Sequence, residues 1–158
     1  MDWILWSAAA LAASLAHVLI DYHVGLYGSA SSTAMSFLQA TNILLTSLVY
    51  ACWIASLGLA TSGYRSGLLA TLVLTVGWAV VWNGLVGLIV CPPPCRNAFP
   101  YQDIAHMSSL IFGALAVYTT WQKIGDTTGP INAVLTICII IVMLAAFVVQ
   151  SVLGLARR

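Results

Sequence analysis

Seven side chains in this sequence could ligate a metal or move a proton at carboxylate or imidazole: His17, His23, His106, Asp2, Asp21, Asp103 and Asp126. All three histidines and two of the four acids fall in two short stretches, HVLIDYH over 17–23 and DIAH over 103–106. His17 and Asp21 are spaced i, i+4, and Asp103 and His106 are spaced i, i+3. Either spacing puts the pair on one face of a helix. Two such helices side by side would assemble two imidazole nitrogens and two carboxylates into one ligand set, with His23 as a fifth ligand. Imidazole with carboxylate suits zinc, and also iron, manganese, nickel or copper. Zinc would take the four ligands as a tetrahedron, and an open position for water would make it catalytic. Asp21 or Asp103 would then serve as general base.

Other chemistries use the same residues. Asp103 is a natural first-turn acid, so each pair can also be read as a hydrogen-bonded helix end. His17 and His106 on different helices could be the two axial ligands of a haem b, or a proton relay. Metal ligation is the favoured reading, because both pairs recur in a chain nearly devoid of charge.

The elements that must carry these residues are membrane spans. The chain has 158 residues, of which 61% are hydrophobic and 6% charged, with a mean hydropathy of +1.01. A soluble domain carries about 25% charged residues. Apolar runs of roughly 20 residues read as spanning helices. Five are expected, over about 3–22, 36–61, 67–90, 101–123 and 131–156, in one all-α transmembrane domain. The N-terminal run contains Asp2 and no Lys or Arg, so it reads as a retained span rather than a secretory signal. A net charge of +1 argues against nucleic acid as a partner.

Five spans put the loops 23–35 and 91–100 and the C-terminus on one side, here face A. The N-terminus and the loops 62–66 and 124–130 lie on the other, face B. Every span places polar groups toward face A: His17 and Asp21, then Gln39 and Asn42, Asn83, Asp103 and His106 with Ser108 and Ser109, and Gln150. Polar groups inside a span usually face a bundle interior or a wet cavity. Gln39, Asn42, Asn83 and Gln150 are therefore candidate substrate-orienting residues, or packing glue between helices. Trp6, Tyr118 and Trp121 read as interfacial aromatics near face B. Ala10, Ser14 and Gly113 read as small residues that let helices approach closely.

The stretch CPPPC, from Cys91 to Cys95, must end the third span, since three prolines cannot continue a helix. A Cys91–Cys95 disulfide would staple that loop and imply an oxidising compartment. Soft metal ligands or a redox pair, and two idle thiols, are the other readings of these cysteines. Cys52 and Cys138 lie inside spans and read as buried apolar residues. Lys and Arg divide three against two between face A and face B, which leans face A toward the cytoplasm. The cysteines lean it outward, and the outward orientation is the one expected.

The function these features suggest is a zinc-type membrane enzyme hydrolysing a lipid-like or small substrate at face A. Alternatives are a divalent metal-ion transporter, and a haem-binding or accessory subunit of a membrane complex. Partners would be the bilayer, the substrate, and a second copy or partner subunit.

Overall fold

In a computed structural model the described residues are 2–23, 33–90 and 100–156, with side chains left out at 21–23, 33–36, 88, 90, 100–102 and 154–156. All the regular structure among them is helical. Helix α1 is Asp2–His23 and α2 is Thr33–Thr61. The third rod begins as α3, Arg65–Leu74, passes into a π-helix over Thr75–Val86, and ends as α4, Gly87–Val90. Helix α5 is Pro100–Asp126 and α6 is Ala133–Ala156. Five helices are long and apolar enough to cross a membrane: Asp2–Ile20, Phe37–Thr61, Arg65–Val86, Asp103–Asp126 and Ala133–Leu153. The chain is a multi-pass, all-α membrane protein.

The spans pack because their contact faces are small. On α1 the buried seam is Trp3, Ser7, Ala10, Ser14 and His17. Those steps of four and three residues keep one stripe of the helix facing its neighbours. On α5 the matching stripe is His106, Ser109, Gly113, Ala116, Thr120 and Ile124. The two helices run antiparallel, so Ser7 meets Thr120 at 3.3 Å toward face B and His17 meets His106 toward face A. Lipid tails are as apolar as leucine, so close van der Waals contact and interhelical hydrogen bonds hold such helices, rather than exclusion of water. At Gly113 an added Cβ would lie 2.8 Å from Val80, so α5 sits directly against the π-helix. Ala10, Ser14 and Gly113 thus do what their size suggested.

An aromatic cluster fills the centre. Trp78 stacks on Phe147 at 5.4 Å, Trp82 on Phe147 at 4.9 Å, and Tyr50 meets Trp78 edge-on at 6.3 Å. At face B, α2 ends in a reversal through Gly63 at φ 87°, where Tyr64 N–H donates to Leu59 O and Gly63 N–H to Ala60 O. That pair of bonds is the Schellman arrangement, which satisfies carbonyls a helix end would leave bare. Ser66 ties the neighbouring loop down, donating to Pro130 O and accepting from the Asn132 N–H.

Two expectations about single residues change. Cys138 is exposed on the flank of α6 and Cys52 is half-buried, so neither is a core residue. Cys138 faces outward in a span whose surroundings are hydrocarbon, where a thiol needs no burial, while Cys52 packs against the edge of the core cluster. Trp6 is not an exposed belt residue either: it stacks against Phe112 at 6.1 Å, while Tyr118 and Trp121 are exposed as a belt requires. The Cys91–Cys95 disulfide lies outside the described residues.

Candidate functional site

The face A half of the bundle holds a buried pair of histidines. His17 and His106 are 8% and 4% exposed, and their Nε2 atoms are 3.1 Å apart. The ring centroids are only 4.0 Å apart and the planes are inclined at 49°. Two imidazoles meeting nose to nose through a straight hydrogen bond at that separation would hold their centroids roughly 5 Å apart or more. The two rings are therefore tilted over one another rather than end to end, with a hydrogen bond between the Nε2 atoms whose donor is set by the tautomers.

Each ring is placed by its helix and by a third element. His17 lies on the α1 seam and His106 on the α5 seam, both within two turns of the helix end at face A. His106 Nδ1 donates to the backbone carbonyl of Asn83, in the π-helix. Carbonyls accept only, so that bond puts the proton of neutral His106 on Nδ1 and leaves Nε2 with a lone pair. The ring packs against Gly87, where any Cβ would overlap the imidazole. One turn along α5, Ser109 Oγ donates to Ala79 O at 3.1 Å. The i, i+3 pair His106 and Ser109 thus fastens α5 to two carbonyls of the π-helix four residues apart.

A chain of hydrogen bonds continues from Asn83 toward mid-membrane. Its side-chain amide donates to Ser14 Oγ. Ser14 Oγ lies 3.1 Å from the Tyr50 hydroxyl, which donates to Ser14 O at 2.8 Å. Four helical segments meet here, and all these residues are buried.

The other expected site residues fare differently. Asp103 is half-buried one turn nearer face A than His106. The side chains of Asp21 and His23 lie outside the described residues. Among the described residues no three His, Cys, Asp or Glu side chains gather closely enough to hold a metal. Asn83 belongs to the histidine site. Gln150 does not bond to the histidines: its Nε2 donates to Thr46 Oγ1 on α2 at 3.1 Å. Asn42 shares that α2 face and is 2% exposed, with a carbonyl oxygen that receives no hydrogen bond among the described residues. Gln39 is half-buried one turn nearer face A.

No family model, curated protein or solved structure matches this chain. The chemistry of the site must be argued from its own atoms.

Sequence reasoning missed Tyr50 and Gly87. Tyr50 lies in a span with no histidine, acid, lysine or arginine and carries no spacing signal. Gly87 sits in an ordinary apolar run, and only the π-helix turns it under the imidazole. Flanking the site, α1 and α5 also leave an open apolar groove, lined by Ala13, Ala16, Ile20, Ile104, Ala105 and their neighbours toward Phe112.

Proposed function

We propose that this chain is a membrane metalloprotein in which His17 and His106 supply two nitrogen ligands to a divalent transition metal, zinc by preference, beneath face A. The observation that carries the reading is the 3.1 Å separation of the two buried Nε2 atoms, with His106 anchored through Nδ1. Metal–nitrogen bonds of about 2.0–2.1 Å spanning the observed 3.1 Å subtend roughly 100°, near a tetrahedral edge. A ligating histidine typically donates its other ring N–H to a carbonyl or carboxylate, and His106 does so to Asn83 O. Haem is disfavoured by the same placement, since axial ligands approach iron from opposite faces.

Asp103 does not gather with the two histidines, so the remaining carboxylate ligand is proposed to be Asp21, on the same helix as His17 and nearer face A, with His23 in reserve. A position left to water would make the centre hydrolytic, by lowering the pKa of that water. The apolar groove beside α1 and α5 favours a lipid-like substrate. Face A is proposed to be the extracytoplasmic side, on the Cys91 and Cys95 thiols.

Metal analysis of the untagged protein beside the His17→Ala/His106→Ala double variant tests the reading. A stoichiometric transition metal in the wild type, lost in the variant with the bundle still folded, is the expected result. Equal metal in both, or none in either after growth in metal-rich medium, would overturn it.

A further inference from the structure

The hydrogen-bond chain behind His106 has a direction. Asn83 Nδ2 is a donor only, so Ser14 Oγ accepts from it. Ser14 Oγ then has its own proton to place, and the Tyr50 oxygen lies 3.1 Å away. Tyr50 in turn spends its proton on Ser14 O, at 2.8 Å. The run ends on Asn83, whose carbonyl receives His106 Nδ1–H.

We infer that Ser14 and Tyr50 are positioning residues for His106: by holding the Asn83 side chain they fix its carbonyl and so lock His106 in the Nδ1–H form, with an unprotonated Nε2 turned to His17 Nε2. Its consequence for metal affinity rests on the reading above; the tautomer itself does not. The physical reason is the cost of the alternatives. Without Ser14 Oγ the Asn83 amide is a buried donor with no acceptor, and such a group turns to find one. Turning it inside a π-helix moves the peptide that carries the carbonyl. His106 is then free to exchange its proton between the two nitrogens, and an Nε2–H cannot bind a metal. Loss of such outer partners of a ligating histidine typically weakens metal binding by about 10–100-fold.

The test uses two readouts. Histidine 15N shifts of the metal-free protein in lipid nanodiscs report the tautomer of His106, assigned with His106→Ala. Cobalt(II) titration, followed by its visible ligand-field bands, reports affinity and geometry. Ser14→Ala is the main variant. Tyr50→Phe is the second, and keeps the Ser14 acceptor should Ser14→Ala fail to fold. Ser7→Ala is the control, since it removes a buried hydroxyl from the same seam of α1, where the partner is Thr120. Wild type and Ser7→Ala should show His106 as the Nδ1–H form. Ser14→Ala should show an exchanging mixture and about 10–100-fold weaker cobalt binding, and Tyr50→Phe a smaller change of the same sign. An unchanged Nδ1–H form in both variants, or an Nε2–H form in the wild type, overturns the inference. If the tautomer moves as stated but the wild type binds no cobalt, the positioning stands and the metal reading falls.

Discussion

At the scale of single residues, Gly87 is as much part of the site as either histidine. An imidazole occupies the space a Cβ would need. Gly87→Ala must therefore push the His106 ring away from α4 and off the Asn83 carbonyl. Glycine-to-alanine in a helix interior otherwise gains about 0.5–1 kcal/mol. The two terms oppose each other in stability, so a thermal melt should change little. Metal binding should not: we expect at least a tenfold loss in cobalt affinity with the helical circular dichroism unchanged. Wild-type affinity in Gly87→Ala would mean that the ring has room to spare. The histidines themselves were legible in the sequence, because a His–Asp pair at helical spacing stands out among alanines and leucines. Gly87, Tyr50 and the donor role of Asn83 were not. Their parts depend on which face of a helix meets which neighbour, and in a span apolar on all sides hydropathy gives no face.

At the scale of elements, the join between α5 and the π-helix decides the geometry. π-Helical stretches are rare and are often found at functional sites. Here the segment offers the carbonyls of Ala79 and Asn83 to Ser109 and His106. The two bonds should have separable effects. Ser109→Ala removes one fastener without touching the ring. Hydrogen bonds between helices in a membrane contribute about 0.6 kcal/mol on average and up to about 1.7. A loss in that range, read from unfolding in mixed micelles, is the expected outcome, with cobalt affinity within about twofold of wild type. A large affinity loss in Ser109→Ala would mean that the two fasteners act as one, and that the π-helix shifts as a body when either is cut. The sequence did announce where the spans lie, since length and hydropathy fix that, and the π-helix left the span boundaries intact. It gave no notice of the change in winding. Hydropathy reports how apolar a rod is and not how it is wound, and the close contacts along this one, Gly113 against Val80 among them, carry no hydropathy signal.

At the scale of the whole molecule, five crossings carry a topological consequence. An odd number of spans puts the two ends of this chain on opposite sides of the membrane, whichever side face A takes. The helix most open to challenge is α6, with only 17% of its spanning window buried in the bundle. Its contacts include Met143 against Gly77, Phe147 under the two tryptophans and Gln150 on Thr46. Those contacts hold one side of the helix, while Ile137, Ile141, Leu144 and Val148 are exposed on the other. In water such a face would be an aggregation hazard; in a bilayer it is the surface lipids solvate. Reporter fusions at the two ends, one active only in the cytoplasm and one only outside it, should therefore give opposite signs. The C-terminal fusion should report the extracytoplasmic side if face A is outermost, as the thiols of the CPPPC loop suggest. Equal signs at both ends would mean that one helix does not cross, and α6 would be the first to doubt. The exposed thiol of Cys138 checks that helix directly. Lying about a turn and a half inside the face B end of the span, it should stay unlabelled by a charged maleimide in intact vesicles, since the thiolate that reacts does not form in hydrocarbon. Labelling by the charged reagent would put α6 in water, and the bundle would then need another surface to cover its side.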